Sequence, residues 1–420
     1  MRFFDNSKAT YFKKNEFLKL TWILVTLLAF NSSNIIAQKE TELIKYEDVK
    51  DLENFGEYRY VQVLAHFGSH FYSGEDLDNA LQSGYGSLEV RLGWQNNDPE
   101  HWSNKYYNAM TYGVGFYSGY IGDPEVLGNP NAIYGFLDMP FGNYYGDKRT
   151  TWYFSPAFGL TYNLVPYDES NNPTNDAIGA KFAVYINFAF SGQTAMTRDM
   201  DFTYGVDFTH FSNGRSFTPN YGLNMLGFHT GLKYHYNKTQ KKVNKDLFTD
   251  EILQSRFNRT KSIPIEKTGK NKINIMTAFG TVQNGHTENV EGGGYPENRY
   301  NTFSGVIEYT REFDMKHGLS VGFDLFYDES LIIDYPEPKD RYLYAYHVGY
   351  DYTFWRITVK SQLGGYLGED GDKGKKKIWA RPALQYKAWD FLSFHVGLKT
   401  RRGFAADWAE FGVVFHPFEW

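Results

Sequence analysis

Beyond the first fifty or so residues, apolar and small or polar positions alternate one by one in short segments separated by polar links. In Tyr112-Gly113-Val114-Gly115-Phe116-Tyr117 the side chains of Tyr112, Val114 and Phe116 share one face and the glycines the other. Leu319-Ser320-Val321-Gly322-Phe323-Asp324-Leu325-Phe326 repeats the pattern, with Ser320, Gly322 and Asp324 opposite the apolar row. A period of two predicts strands with one apolar face and one packed or wet face. Segments of this kind start near Glu57, Gly84, Asn108, Ala132, Thr151, Ala180, Asp201, Asn224, Ile273, Arg299, Gly318, Arg341, Arg356, Lys377, Phe391 and Asp407, which predicts about sixteen strands.

Two architectures share this signature, a soluble β-sandwich and a membrane β-barrel, and the links separate them. With the first strand running outward, the long links Val165 to Gly179, Gly285 to Asn298 and Glu369 to Lys376 fall on the extracellular side. Short links around Arg198, Lys316, Trp355 and Asp390 fall on the periplasmic side. Long loops outside and short turns inside characterise outer-membrane barrels. The fold expected is therefore all-β, a transmembrane antiparallel β-barrel of about sixteen strands, with two tandem eight-stranded barrels as the alternative. Closure of a single sheet favours the former.

The organisation expected is a signal peptide over 1–37, a periplasmic segment over 38–56, a first β-barrel half over 57–237, a periplasmic linker over 238–272 and a second half over 273–420. In the leader, basic residues from Arg2 to Lys19 precede the apolar run Leu20 to Phe30, with a cleavage site after Ala37. No later apolar run is long enough for a helical span, so membrane insertion requires strands. The linker is polar and basic, with a short helix expected at Asp246 to Phe257. A terminal aromatic, Trp420, suits a bacterial barrel.

Composition agrees with this picture. Of 420 residues 34 are Tyr, 35 Phe, 9 Trp and 40 Gly, yet mean hydropathy is -0.52, as expected for aromatic girdles, small interior residues and polar loops. The chain has no cysteine, which excludes disulfides, thiolate metal sites and a lipoprotein anchor. A net charge of -6 gives no reason to expect a nucleic-acid partner. No cofactor and no metal are expected. His66 and His70 share the parity of Gln62 and Gly68, opposite Val61, Val63 and Phe67, and are expected to face the lumen as satisfied interior histidines.

One segment carries chemistry. Along Tyr204 to Ser212, the residues Tyr204, Val206, Phe208, His210 and Ser212 lie on one face, against Gly205, Asp207, Thr209 and Phe211. The first face is apolar until His210, so His210 and Ser212 are expected on the lipid-facing wall, near the outer end of an outward-running strand. Residues two apart on a strand are roughly 6.5 Å apart along it, within joint reach of an imidazole and a hydroxymethyl. His210 can then act as base for a Ser212 nucleophile. On the next strand Asn224 shares a face with Leu226, Phe228 and Leu232, so its amide emerges on the same wall, able to orient the imidazole. In the turn between them the Gly214 N–H is the candidate oxyanion donor, with Asn213 and Asn220 as side-chain candidates. Arg215 is a weak candidate for a substrate phosphate, with solubilisation of the loop as its plainer reading.

The pair His210-x-Ser212-Asn213 followed by Pro219-Asn220-x-Gly222 resembles the lipid A 3-O-deacylase (PagL) family of outer-membrane proteins, which includes acyloxyacyl hydrolases. The resemblance implies His210 as base and Ser212 as nucleophile. The family's third member is a Glu, where this chain has Asn224. The stretch is also similar to outer-membrane phospholipase A, in which H-x-S-N-G-R-S precedes a triad Asn; His210, Ser212 and Asn224 match it. That phospholipase uses an Asp after the R-S pair to bind calcium, and here Phe217 stands there. PagL-like barrels have eight strands, which leaves the second half unaccounted for. The resemblance implies a serine esterase of the Gram-negative outer membrane acting on lipid A or lipopolysaccharide of the outer leaflet. Phospholipase A and a non-catalytic channel or structural barrel are the alternatives.

Overall fold

A computed structural model describes residues 57–71, 77–81, 84–96, 101–141, 150–197, 199–236, 269–283, 298–368, 371–401 and 405–420. The expected signal peptide, the 38–56 segment and the helix at Asp246 to Phe257 lie outside the described residues. The sixteen strands are β1 (Glu57–His70), β2 (Tyr85–Asn96), β3 (Thr111–Tyr120), β4 (Gly128–Pro140), β5 (Thr150–Leu164), β6 (Ala183–Ala195), β7 (Met200–Ser212), β8 (Leu223–His235), β9 (Asn271–Gln283), β10 (Arg299–Glu312), β11 (His317–Asp328), β12 (Tyr342–Phe354), β13 (Ile357–Tyr366), β14 (Ile378–Trp389), β15 (Leu392–Arg401) and β16 (Ala405–Glu419). Among the described residues no helix is long and apolar enough to cross a membrane.

The preference for one sixteen-stranded barrel is corrected: the chain forms the alternative, two tandem barrels of eight antiparallel strands. β8 returns to β1 with Phe67 opposite Phe228, and β16 returns to β9 with Val414 opposite Met276. Each sheet thereby closes before the other begins. The strand list and its alternation are the same for either closure; only the pairing of β8 and β16 differs. Closure satisfies every strand edge, which an open sheet in hydrocarbon cannot do.

Alternation sorts the side chains as expected. On β7 and β8 the outward Val206, Leu226 and Phe228 are exposed, while Asp207, Thr209, Phe211 and His229 are buried in the lumen. An eight-stranded barrel is just wide enough for side chains to fill, and both lumens are filled by charged groups bonded across the barrel. In the first, Gln62 Nε2 donates to Thr203 Oγ1 at 2.9 Å, and His66 lies between Asp207 at 3.1 Å and Glu89 at 2.8 Å. In the second, Arg381 pairs with Asp324 and Glu410, each at 2.8 Å, and Lys360 with Glu308 at 2.9 Å and Asp351 at 2.6 Å. Burying such groups is tolerable because each charge has partners.

The two barrels meet at both rims. At the rim where β1 begins and β16 ends, the link between β2 and β3 packs on the β12–β13 turn. The Tyr107 and Phe354 rings cross edge to face with centroids 4.8 Å apart, and Tyr107 Oη donates to Thr353 O at 3.2 Å. At the opposite rim, the β7–β8 turn, residues 213–222, meets the ends of β9, β10 and β16.

Candidate active site

β7 and β8 are joined in a register that sets His210 directly opposite Asn224, while β6 sets Ile186 opposite His210 and Val184 opposite Ser212. His210, Ser212 and Asn224 therefore emerge on one outer face. His210 Nδ1 and Asn224 Oδ1 are 2.7 Å apart. An amide oxygen only accepts, so this contact fixes the tautomer with hydrogen on Nδ1 and leaves the Nε2 lone pair free to take a proton.

Ser212 caps the outward row of β7 and is covered by the turn that follows. Its Oγ accepts from Asn220 Nδ2 at 3.0 Å and from the Gly214 N–H at 3.2 Å. Asn220 Oδ1 also accepts the Asn213 N–H at 3.1 Å, so one side-chain amide ties Ser212 to the turn. The serine hydroxyl is engaged by Asn220 and Gly214 rather than by His210. Between imidazole and serine stands Gly222, at φ +75°. A Cβ there would lie 3.0 Å from His210 Cε1 and 3.7 Å from Ser212 Cβ. The absence of a side chain at 222 keeps the space between the His210 imidazole and Ser212 open.

The other expected residues are brought to the same turn. Both amide atoms of Asn213 are buried without a hydrogen-bond partner, an arrangement that a bound polar ligand atom would relieve. The Gly214 N–H donates to Ser212 Oγ at 3.2 Å, which stands a backbone donor beside the hydroxyl; an oxyanion donor has to reach the substrate oxygen rather than Oγ itself. Arg215 takes a different place from the one considered: its guanidinium is buried, with Nη1 3.4 Å from Asp407 of β16. The turn is braced within its own barrel as well, since Tyr221 N–H and Gly222 N–H donate to Asp176 O and Ala177 O of the β5–β6 link. Below the site, Phe188, Phe190, Val206, Leu226 and Phe228 form an exposed apolar wall.

Local spacing signalled His210, Ser212, Asn224 and the turn donors. It gave no sign of Gly222 as a spacer between His210 and Ser212. Nor could it reveal Gln283 and Asp407, which reach the turn from the second barrel. Elsewhere, His66, Asp207 and His229 present ligand-type atoms within 4.8 Å of one another in the first lumen. Each ring nitrogen already has a protein partner: Asp207 Oδ1 accepts from both imidazoles at 3.1 Å, and the far nitrogens face Glu89 and Ser191. This cluster reads as lumen packing, in keeping with the interior role expected for His66.

Comparison with known proteins adds a family. The model described as lipid A 3-O-deacylase (PagL) matches residues 86–233, and that described as acyloxyacyl hydrolase, C-terminal domain, matches residues 271–420. No curated protein gives a significant match. Among solved structures, Neisserial surface protein A (NspA) is similar over 42% of this chain and 97% of its own, at 11% identity and a TM-score of 0.28. The outer membrane enzyme PagL is similar over 40% of this chain and 97% of its own, at 12% identity and a TM-score of 0.28. The ferric enterobactin receptor PfeA of Pseudomonas aeruginosa is similar over 85% of this chain and 58% of its own, at 10% identity and a TM-score of 0.21. The two family models fall one on each barrel and between them take in most of the chain: the protein belongs to the PagL-like lipid A 3-O-deacylase and acyloxyacyl hydrolase family.

Proposed function

We propose that this protein is a serine esterase of the Gram-negative outer membrane that removes an ester-linked acyl chain from lipid A in the outer leaflet. The observation that carries the reading is the 2.7 Å contact of His210 with Asn224 on the outer wall, beside Ser212 and above an exposed apolar surface. A site facing lipid suits a substrate whose acyl chains already lie against that wall. It suits a soluble ester poorly.

Ser212 exchanges its hydrogen bond with Asn220 for one to His210 Nε2 by rotating about χ1; catalytic hydrogen bonds are often loose without substrate. Its Oγ attacks the acyl carbonyl while His210 takes the hydroxyl proton. The new Oγ–carbon bond forms, the ester carbon–oxygen bond breaks, and His210 returns the proton to the departing sugar oxygen. Water, deprotonated by His210, then attacks the acyl-enzyme; the Oγ–carbon bond breaks, the fatty acid leaves, and His210 returns the proton to Ser212 Oγ. The Gly214 N–H, Asn220 Nδ2 and the unpartnered Asn213 amide supply donors for the oxyanion. Asn224 holds the imidazole through Nδ1.

A specific observation also keeps phospholipid hydrolysis in view: the orienting group is an amide, as in outer-membrane phospholipase A, rather than a carboxylate. Phe217 occupies the position where that enzyme uses an Asp for calcium. A channel has less support, since cross-lumen hydrogen bonds and ion pairs fill both barrels. The test is mass spectrometry of lipid A from a host expressing the wild type or Ser212→Ala, with labelled phospholipid vesicles assayed in parallel, with and without chelator. Loss of one acyl chain with the wild type alone is the expected result. Unchanged lipid A together with calcium-dependent fatty-acid release from phospholipid would replace this reading by the second.

A further inference from the structure

The turn that carries the proposed oxyanion donors is gripped by the second barrel through four contacts and one close backbone approach. Arg215 Nη1 lies 3.4 Å from Asp407 Oδ1 at the start of β16. Arg215 O accepts the Gln283 N–H at 3.4 Å, and Gln283 Oε1, at the end of β9, accepts the Thr218 N–H at 2.8 Å. The Arg299 guanidinium, at the start of β10, lies 4.3 Å from the Phe217 ring centroid. A Cβ on Gly214 would stand 2.9 Å from Ala409 Cβ and 3.4 Å from Leu398 Cδ1 of β15. β15, β16, β9 and β10 are consecutive around the second barrel, so one continuous arc of its rim receives the turn.

What is gripped matters for chemistry. Gly214 and Arg215 both have positive φ, +61° and +65°. For Arg215 that conformation is disfavoured by its Cβ, so the surrounding structure must hold it. These two residues directly follow the Asn213–Gly214 peptide, whose N–H donates to Ser212 Oγ at 3.2 Å. Asp407 is itself fixed from inside the second lumen: Lys375 Nζ reaches its two oxygens at 2.7 and 2.9 Å, and Lys399 Nζ reaches it at 2.6 Å. Lys375 is paired in turn with Asp328 at 2.7 Å. The charge network of the second barrel therefore ends on the arginine next to the oxyanion donor.

We infer that the second barrel is a clamp for the active-site turn, with Asp407 and Gln283 as positioning residues that hold Gly214 in register with Ser212. The inference rests on the reading of Ser212 as nucleophile. It also gives Arg215 a role inside the protein rather than on a substrate phosphate, and gives the second half of the chain a part in the reaction of the first.

The test uses the full-length protein in lipopolysaccharide-containing vesicles as wild type, Asp407→Asn and Gln283→Ala, all checked for folding by the heat-dependent mobility of barrels on gels. A small displacement of a catalytic donor slows turnover by on the order of 10- to 100-fold; that fall in kcat is expected for both variants, with KM within about twofold of the wild type by the same argument. Trypsin cleavage after Arg215, identified by a fragment beginning at Ser216, is expected to be faster in both variants than in the wild type. If Asp407→Asn fails to fold, Gln283→Ala, a neutral change at the rim, carries the test. Folded variants with unchanged kcat and unchanged cleavage overturn the clamp, as does a rise in KM alone, which would put Arg215 on substrate. If the wild type hydrolyses no lipid, the proposed function fails, and the cleavage rates still decide whether the turn is clamped.

Discussion

Asn224 orients His210 with an amide oxygen, which fixes the tautomer but adds no negative charge to stabilise the imidazolium. Removing it by Asn224→Ala frees the ring to rotate and is expected to lower kcat by roughly a hundredfold with KM little changed, within the range that general acid–base catalysis supplies. Steady-state kinetics on purified lipid A checks this; an unchanged kcat would mean that the 2.7 Å contact is structural only. Gly222→Ala acts differently, since the new Cβ would meet His210 Cε1 at 3.0 Å and the residue sits at φ +75°. The expected result is a loss of about 1–2 kcal/mol of stability from the left-handed backbone and a larger loss of kcat than of barrel stability, measured by denaturant unfolding beside the kinetics. The trio His210, Ser212 and Asn224 was legible in the sequence because it spans fifteen residues of one hairpin, where parity alone decides the face. Gly222 was quoted there as part of a motif, but its service as a gap depends on how the turn folds back over β7. Nothing in a linear spacing reports that.

Strands were legible to within a few residues, and the departures have local causes. The pattern suggests a strand from Asn108, but β3 begins at Thr111 because Asn108 and Ala109 both take positive φ, +58° and +52°, after the helix Trp102–Tyr107. β4 begins at Gly128 rather than Ala132, and the register with β5 shifts between Gly128 and Asn131. Burial already alternates from Gly128, but Gly128-Asn129-Pro130-Asn131 is a run of turn-forming residues that carries no strand signal in the sequence. Where alternation is unbroken, it predicts energetics as well as direction. Val206 stands outward in the middle of β7, between Asp207 and Gly205 on the lumen side. Val206→Arg is expected to destabilise the first barrel by about 2–4 kcal/mol, the penalty for arginine near the bilayer midplane. Reversible unfolding in vesicles measures this, and a near-zero change would mean that β7 does not cross hydrocarbon at Val206.

Closure and docking belong to the whole molecule, and this is where the sequence was least informative. Which strand β8 joins depends on a pairing between distant positions, 161 apart for Phe67 with Phe228, and the candidate partners do not differ in pattern. The clamp on the β7–β8 turn depends on Arg215 and Asp407, 192 residues apart. At the other rim the Tyr107 hydroxyl donates to Thr353 O at 3.2 Å and accepts the Trp355 N–H at 3.3 Å, while its ring meets Phe354 edge to face with Trp102 alongside. Two barrels held at both rims should resist unfolding as one body. A double-mutant cycle on Tyr107→Leu and Phe354→Leu tests this, because each single change removes the same aromatic contact. The coupling expected is about 0.5–1.5 kcal/mol, read from denaturant unfolding of the full chain. Additive single effects would show that the rings do not meet in the membrane-embedded protein. If coupling is found and Tyr107→Leu also slows turnover, then the lower contact sets the angle at which the second barrel presents Asp407 and Gln283 to the β7–β8 turn. Unaltered turnover with the coupling present would leave the upper contacts sufficient by themselves.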